Sequence, residues 1–329
     1  MKIAIVASTK RKYGGNAYGK MAAEVLSNGF EIEAINVGIK RSGKLKYFEV
    51  LSLSWGIFMA SKRKDFDFII KDFEASLFLN KKPVKNIAII HHLDHSSTSF
   101  FLRLVYPLLQ KIIFSNLKKF DAIVTASKYW ENYFKKKGYK NVYKIYNGFD
   151  LSNFDISDEE ASELKKRLNL SGKPIIYLGN CQRAKGVVEV YQALKDLDAH
   201  LVTSGSQQVE IPARNLEIEY KDYLKLLKAS SVAITMSKFK EGWCRTAHEA
   251  MLLKTPVIGS GLGGMEELLE GGKQIICNDF NRLKEKVECL LKNPAEREKI
   301  GQDGYNFAKN FTKEKFKKDW LELIQKLYK

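Results

Sequence analysis

The stretch KFKEGWCRTAHEAMLLKTPVIGSGLGGMEELLEGG, residues 238–272, decides how the rest of this chain is interpreted. Its helix formers predict a helix from Thr246 to Leu253, followed by an apolar strand and a glycine-rich turn that opens a second helix. The start of a helix favours a phosphate, because it combines free backbone N–H groups with the positive end of the helix dipole. Glu241 lies before the first helix and Glu249 within it, and carboxylates suit sugar hydroxyls. The stretch therefore predicts one pocket for a diphosphate and for sugars.

Four short runs within this stretch follow one another in a definite order and spacing. They are Glu241-Gly242-Trp243, Glu249-Ala250-Met251, Pro256-Val257-Ile258 and Gly263-Gly264 with Glu267. Together they resemble the signature of retaining glycosyltransferases of the GT-B fold, the large family 4 with its E-x7-E motif. That family's pattern reads E-G-F-G, then E-A-M, P-V-I and G-G-x-x-E. One departure is the run from Trp243 to Thr246, where many members have a second glycine.

The resemblance implies a role for both glutamates of the motif. It implies that Glu249 holds the ribose hydroxyls of a nucleotide, and that Glu241 binds hydroxyls of the transferred sugar without acting as a covalent nucleophile. It also implies that the anomeric configuration is retained. The helix start predicts contact of Arg245 and Thr246 with the donor diphosphate. Trp243 and Cys244 are predicted to line the ribose and sugar pocket, where Cys244 is interpreted as a small packing residue in preference to a chemical role.

A second element for the diphosphate is predicted after the strand from Pro174 to Gly179. Its counterpart in the resembled family is G-R-x4-K-G, whose Arg and Lys bind the donor diphosphate. Lys185 lies at the matching position, whereas Asn180 replaces the arginine, so Arg183 is expected to compensate from within the loop. An exposed basic loop is the alternative interpretation.

The first half of the chain carries further candidate residues. A strand followed by Gly14-Gly15 and a helix makes a turn suited to phosphate, so Gly15 is predicted to contact the diphosphate. The strand from Ile87 to Ile90 ends in His91 and His92, and the carboxyl ends of parallel strands line the crevice of doubly wound folds. By resemblance, His91, and next His92, faces the donor sugar, and a purely structural role is the alternative for His92 and His95. Glu241, His91 and His92 are therefore the candidate catalytic residues.

Two patterns suggest a metal site and are interpreted otherwise. Asp65-Phe66-Asp67 matches a D-x-D metal motif, but a charged start to the following strand explains it without further oxygen ligands. Three histidines and an aspartate within residues 91–95 could suggest zinc, yet adjacent residues do not readily converge on one tetrahedral centre. The sequence therefore predicts no metal and no cofactor.

The length of 329 residues predicts two domains. Two successive strand–helix series, each opening with an apolar strand and a glycine turn, predict the α/β class with parallel sheets. With the resemblance, the expected fold is GT-B, two Rossmann-like parallel-sheet domains facing a cleft. The expected parts are an acceptor-binding domain over 1–155, a nucleotide-sugar-binding domain over 156–310, and a helix over 311–329 that crosses back to the first domain.

The net charge of +17 is concentrated in the first half of the chain. Residues 1–150 hold 26 Lys and Arg against 12 Asp and Glu, a net +14, and the remainder holds 29 against 26, a net +3. This asymmetry indicates an anionic partner or a solubilising surface. Two apolar segments with basic flanks, 42–64 and 100–119, are each predicted to be a buried core helix, with a helix resting on an anionic membrane surface as the alternative. Nucleic acid is not expected, because the basic runs lack interleaved aromatic residues and a recognition helix.

Membrane spans, secretion signals and disulfides are not predicted. No apolar run reaches the roughly 18 to 20 residues of a transmembrane helix, and the first residues follow a strand pattern, not a signal peptide. The expected location is the cytoplasm or the inner face of the cytoplasmic membrane. The four cysteines lack metal-ligand spacing and are expected to be reduced thiols.

These observations favour a retaining hexosyltransferase that needs no metal. The expected donor is a UDP-sugar, with GDP-mannose as the second choice, and the expected acceptor is a saccharide or a lipid-linked or lipopolysaccharide-type saccharide. A sugar-nucleotide epimerase of similar build is one alternative. A protein without catalytic activity that binds nucleotides or nucleic acid is the other, and it predicts binding that depends steeply on salt.

Overall fold

The computed structural model describes residues 1–7, 14–37, 46–93 and 100–329. The chain divides into two compact units. Unit 1 comprises Met1–Gly148 with Lys313–Lys329, and unit 2 comprises Phe149–Thr312. The predicted α/β class with two parallel-sheet domains is confirmed, since each unit contains a six-stranded parallel sheet.

Unit 1 alternates strands and helices along most of its length. Its strands are β1 (Lys2–Ala7), β2 (Glu31–Asn36), β3 (Phe68–Lys71), β4 (Lys85–Ile90), β5 (Ala122–Thr125) and β6 (Val142–Lys144). Its helices are α1 (Gly14–Ser27), α2 (Lys46–Lys62), α3 (Phe100–Leu117), α4 (Lys128–Lys136) and, after unit 2, α12 (Lys313–Tyr328). The strands pair in the order β2-β1-β3-β4-β5-β6. The central strands β3, β4 and β5 are short apolar runs that are buried along almost their whole length, as expected where helices cover both faces of a sheet.

Unit 2 repeats this architecture. Its strands are β7 (Ile175–Asn180), β8 (His200–Ser204), β9 (Arg214–Leu216), β10 (Val232–Thr235), β11 (Val257–Gly259) and β12 (Ile275–Ile276). Its helices are α5 (Asp158–Arg167), α6 (Val187–Leu194), α7 (Tyr220–Ala229), α8 (Arg245–Leu252), α9 (Gly264–Gly271), α10 (Leu283–Lys292) and α11 (Pro294–Ala308). The order β12-β11-β10-β7-β8-β9 shows that the chain winds outward from β7 and then outward on the other side from β10. The topological switch point, where ligands bind in such folds, therefore lies between β7 and β10.

The core of unit 2 fixes these two strands. Ile176 and Leu178 of β7 and Ile234 of β10 are buried in one cluster with Val187 and Val190 of α6. Alternate residues of a strand point to one face, so these strand residues all meet the same layer of helices. The carboxyl ends of β7 and β10 are thereby held side by side.

The two apolar segments of unit 1 are only partly buried. Helix α2 buries Ile57 but exposes Trp55 and Met59, at 65% and 50%. Helix α3 exposes Leu108 and Ile112, at 62% and 41%, so its apolar character does not lead to burial on every side. Within the described ranges, no helix is both long and apolar enough to span a bilayer.

The acidic residues before β3 belong to a surface network of charges. Arg63 forms ion pairs with Glu33 and Asp65, and the backbone N–H of Lys2 donates to an oxygen of Asp67. Arg63 holds the pKa of the Asp65 carboxyl at about 2, well below its usual value. Among the residues that the structure describes, no group of three or more His, Cys, Asp or Glu is arranged to hold a metal ion. At the start of β3, Asp65 is thus paired with a guanidinium, and Asp67 accepts from the backbone.

Lys71 is a fully buried lysine at the end of β3. Its Nζ donates to the backbone oxygen of Phe78 at 2.6 Å and lies 3.4 Å from Oδ1 of Asn86. Burial disfavours the charged form and lowers the pKa of Lys71 from 10.5 to about 7. The unfolded chain therefore binds more protons than the folded chain between pH 7 and 10.5. Consequently, the contribution of Lys71 makes the folded state more stable as the pH rises through this window.

We expect Lys71→Met to remove this pH-dependent contribution. The free energy of unfolding of wild type minus that of the variant should rise between pH 7 and pH 10, and urea unfolding at a series of pH values measures it. The exposed Lys81→Met is the matched control, and its difference from wild type should stay level. A level difference for Lys71→Met as well would contradict the assigned shift.

Candidate functional site

Two loops meet at the switch point of unit 2. After β7, the chain forms a 3-10 turn over Arg183–Lys185 and passes Gly186, whose φ is +73°. A Cβ atom at Gly186 would lie 2.3 Å from the backbone oxygen of Met236, the residue after β10. The backbone N–H of Lys238 donates to the oxygen of Ala184 at 2.9 Å. Glycine at 186 therefore permits both the left-handed turn and the close approach of the two loops.

Glu241 is a buried carboxylate between these loops. Its Oε1 accepts hydrogen bonds from Nζ of Lys185 and from Oγ of Ser237, each at 2.5 Å. Its backbone N–H donates to the backbone oxygen of Leu262, and its backbone oxygen accepts from the N–H of Gly264 at 2.8 Å. Glu241 is thus fixed by side chain and backbone at the start of α9, beside the predicted diphosphate ligand Lys185.

Glu249 is a second buried carboxylate, located on α8. Its Oε1 accepts from the hydroxyl of Tyr220 at 3.1 Å and from Nη2 of Arg245 at 3.2 Å. Its Oε2 accepts from the hydroxyl of Tyr223 at 3.0 Å. The guanidinium of Arg245 also lies over the ring of Phe149, 4.4 Å from its centroid. Each of the two glutamates of the motif is therefore paired with one cation.

The start of α8 lies between the two carboxylates in sequence. Arg245 and Thr246 form its first turn, and the positive end of the helix dipole is located there. Cys244 precedes them with a φ of +66°, the left-handed conformation that favours glycine. Many members of the resembled family have a glycine within this run. Burial, together with the neighbouring Glu241 carboxylate, raises the pKa of the Cys244 thiol to about 12, so the thiol stays protonated.

Trp243 and His248 are two buried side chains of the motif region that are hydrogen-bonded to each other. The indole N–H of Trp243 donates to Nδ1 of His248 at 3.0 Å, and Nε2 of His248 lies 3.1 Å from the backbone oxygen of Ala308. The imidazole stacks on Phe149 at 4.0 Å between centroids. Burial lowers the pKa of His248 to about 3, so the ring is neutral, with Nε2–H donating to Ala308. The Trp243 side chain, predicted to line the sugar pocket, lies buried in this packing.

Sequence reasoning missed three residues around the two glutamates. His248 lies within the E-x7-E spacing, where its neighbours Ala247 and Ala250 are buried with it on α8. Tyr220 and Tyr223 come from α7, which is more than twenty residues away in sequence. Their spacing of three on one helix signals a shared face. Nothing in the sequence near these tyrosines indicates that this face contacts Glu249.

The remaining predicted residues are distributed over both units. Arg183 is exposed in the turn that carries Lys185. In unit 1, Gly15 lies in the first turn of α1, and the residues 8–13 before that turn fall outside the described part of the chain. His91 and His92 follow β4 and are half-buried, and the His91 ring meets the Tyr18 ring edge-on at 5.0 Å. Asp94 and His95 of the alternative zinc site also fall outside the described residues.

We expect Gly186→Ala to destabilise unit 2 and to displace Lys185. Gly172→Ala is the matched control, because Gly172 has a similar φ of +84° but open space around its added Cβ. Both variants pay about 1 kcal/mol for a left-handed alanine. Only Gly186→Ala also meets the Met236 oxygen, so its unfolding temperature should fall well below that of the control. Equal unfolding temperatures would show that the loops can separate without cost.

Both the sequence and the fold of this chain are similar to those of known proteins. Residues 158–307 match the family model described as glycosyl transferases group 1. The chain is 26% identical over 218 residues to spore coat protein SA of Bacillus subtilis, covering 55% of this chain and 58% of that protein. It is 24% identical over 268 residues to the capsular polysaccharide biosynthesis glycosyltransferase CapM of Staphylococcus aureus, covering 71% and 67%. The match thus spans less than two thirds of the spore coat protein.

Solved structures share the fold over nearly the whole chain. Sucrose-phosphate synthase from Thermosynechococcus elongatus superposes with a TM-score of 0.81 at 18% identity, covering 99% of both chains. HepE of Anabaena, solved in complex with UDP-glucose, superposes with a TM-score of 0.79 at 15% identity, covering 99% of this chain and 100% of HepE. The fold prediction is thereby confirmed as the two-domain, Rossmann-like GT-B class. The matched region and the named relatives show that the chain is similar to glycosyltransferases, and the solved structures show the fold that it shares with them.

Proposed function

We propose that this protein is a retaining glycosyltransferase that moves a hexose-type sugar from a nucleoside diphosphate sugar to a saccharide or lipid-linked acceptor. The observation that carries this proposal is the pair of buried carboxylates at the switch point of unit 2, each held by a cation. Glu241 pairs with Lys185, and Glu249 pairs with Arg245. The names of the spore coat and capsular polysaccharide relatives support a role in cell-surface glycan synthesis.

The cations of the site suit the charge of a departing diphosphate. When the bond between the sugar and the diphosphate breaks, negative charge develops on the phosphate oxygens, and fixed positive groups stabilise it. Lys185 and Arg245 are proposed to supply this charge, with the first turn of α8 adding its dipole at Thr246. Arg183, exposed in the same turn as Lys185, is proposed to contribute in place of the arginine expected at Asn180. This set of groups requires no metal.

The two carboxylates are proposed to bind hydroxyls on opposite parts of the donor. Glu249 would accept from the ribose, and Glu241 from the transferred sugar, because a carboxylate forms strong, charge-assisted hydrogen bonds with hydroxyl donors. Cys244, protonated beside Glu241, would contribute shape and not chemistry. The roles predicted for Gly15, His91 and His92 stay predictions.

The proposed donor is a UDP-sugar, with GDP-mannose as the alternative. The structure of HepE with UDP-glucose is the observation among the fold relatives that favours UDP. Retention of configuration is proposed from the resemblance of the E-x7-E motif to that of retaining enzymes. In such a reaction, the acceptor attacks the sugar from the face that the diphosphate leaves.

We expect a nucleotide sugar to raise the unfolding temperature of the wild type in the presence of EDTA. A ligand at about a hundred times its Kd adds roughly 2.7 kcal/mol to the stability of the folded state. Glu249→Ala should lower the affinity by about tenfold or more, since a hydrogen bond to a charged group is worth about 1.5 to 3 kcal/mol. A panel of UDP-glucose, UDP-galactose, UDP-N-acetylglucosamine and GDP-mannose provides the thermal shifts, and slow hydrolysis of the same compounds provides the activity.

Glu270→Ala is the matched control, because Glu270 is exposed at the far end of α9. It should keep the wild-type affinity for the donor. If no compound of the panel stabilises the wild type or is hydrolysed, the proposed function is rejected. Release of an epimerised sugar without any acceptor, detected by chromatography of the products, would instead support the epimerase alternative.

The acceptor is proposed to be presented at an anionic membrane surface that unit 1 contacts. Helix α2 exposes Trp55 and Met59, and helix α3 exposes Leu108 and Ile112, in each case four residues apart and therefore on one helix face. The first 150 residues carry a net charge of +14. Exposed large apolar side chains in a basic region are typical of proteins that rest on an anionic bilayer.

We expect the wild type to sediment with vesicles of phosphatidylcholine and phosphatidylglycerol at low salt, and much less at high salt. The double variant Trp55→Ser with Met59→Ser should bind at least about tenfold more weakly, because a large apolar side chain gains on the order of 1.5 kcal/mol or more when it leaves water. Leu151→Ser, at an exposed apolar residue of unit 2, is the control. Failure of the wild type to bind at low salt would remove the membrane from the proposal.

A further inference from the structure

The carboxylate of Glu249 accepts hydrogen bonds from three side chains of the protein. Its donors are the two phenols of Tyr220 and Tyr223 and the guanidinium of Arg245, at 3.0 to 3.2 Å. A carboxylate has about four acceptor sites, two on each oxygen. Among the residues that the structure describes, Oε1 accepts from two donors and Oε2 from one, which leaves one acceptor site on the oxygen that Tyr223 contacts.

The two phenols differ in how firmly they are held. Tyr220 is 46% exposed and is the first residue of α7. Tyr223 is half-buried one turn later, with its ring edge-on to Tyr177 at 5.9 Å. Tyr177 is itself fully buried and shares a hydrogen bond of 2.6 Å with Ser204. Tyr223 is therefore supported by the core, whereas Tyr220 can move into solvent.

Both phenols are neutral donors across the physiological pH range. Burial and the charge of Glu249 raise the pKa of Tyr220 and of Tyr223 above the ordinary value of 10. A neutral phenol donates one hydrogen bond to the carboxylate, and this bond restricts the orientation of the carboxylate. The pair can thus hold Glu249 in one orientation before any ligand is present.

We propose that Tyr223 is a positioning residue that orients Glu249 toward a ribose diol, and that Tyr220 is a displaceable donor that leaves Oε1 when a ribose hydroxyl arrives. A diol offers two hydroxyl protons. One fills the open site on Oε2, and the other replaces the hydroxyl of Tyr220 on Oε1. The site then selects nucleotides that carry both ribose hydroxyls. This inference rests on the proposed function, because it assigns the ribose to Glu249.

The test compares nucleotides with and without the diol. Calorimetric titrations use UDP, GDP and their 2′,3′-dideoxy forms with the wild type, Tyr223→Phe, Tyr220→Phe and Glu249→Ala. Phenylalanine removes only the hydroxyl and keeps the ring. Tyr305→Phe is the matched control, because Tyr305 lies on α11 and contacts Lys254 and Lys309. Unfolding temperatures of all variants are measured alongside.

We expect the wild type to bind the ribonucleotide at least about tenfold more tightly than the dideoxynucleotide. Tyr223→Phe should lose about tenfold in affinity for the ribonucleotide and nothing for the dideoxy form, so the preference disappears. Tyr220→Phe should keep the preference and bind the ribonucleotide equally or up to about threefold more tightly, since no phenol competes for Oε1. Tyr305→Phe should match the wild type throughout.

Three results would overturn the inference. An undiminished preference in Tyr223→Phe would show that Tyr223 does not orient Glu249, and an equal loss for both nucleotides would show that its role is only structural. A loss of the preference in Tyr220→Phe would show that this hydroxyl is needed and not displaced. Failure of the proposed function is distinguishable, because Glu249→Ala would then keep the wild-type preference.

Discussion

The ion pair between Lys185 and Glu241 is the interaction around which the site of unit 2 is assembled. It joins the loop after β7 to the loop after β10, two segments that are 56 residues apart in sequence. The pair depends on a close approach of the two loops at Gly186 and Met236, and on Ser237, which shares the same carboxylate oxygen. A buried charge that lost this partner would be costly, so the ion pair and the loop geometry require each other.

Glu249 shows the same principle with a different set of partners. Arg245 supplies the charge from one turn earlier on α8, and the phenols of Tyr220 and Tyr223 supply hydrogen bonds from α7. Helix α8 is anchored in the core by its own His248, which accepts a hydrogen bond from Trp243 and packs on Phe149. Each carboxylate is therefore fixed by several contacts, as a binding site of defined geometry requires.

Unit 1 contains a buried lysine and several exposed large apolar side chains. Lys71 is buried with carbonyl and amide oxygens as its partners, and its pKa is lowered to about 7, so its proton is held weakly. Trp55 and Leu108, in contrast, lie exposed on helices whose other faces are packed. Large apolar side chains that stay exposed to water are candidates for contact with another surface.

The class of fold and the position of the main motif followed from the sequence by itself. Alternating apolar strands, glycine turns and helical periods are local signals, and the order and spacing of Glu241, Glu249, Gly263 and Lys185 could be compared directly with a known family. Prediction of two parallel-sheet domains succeeded because each strand–helix unit carries its own pattern of residues.

Only the tertiary structure decided which residues meet. The strand order brings β7 beside β10, and this adjacency makes Lys185 a partner of Glu241. The support of Glu249 by Tyr220 and Tyr223 and the burial of Trp243 against His248 were likewise not predictable. Contacts between elements depend on sheet order and packing, whereas the periodicity of a segment reports only which of its own faces is apolar. The sequence therefore determined which groups the site contains, and the fold determined how each is held.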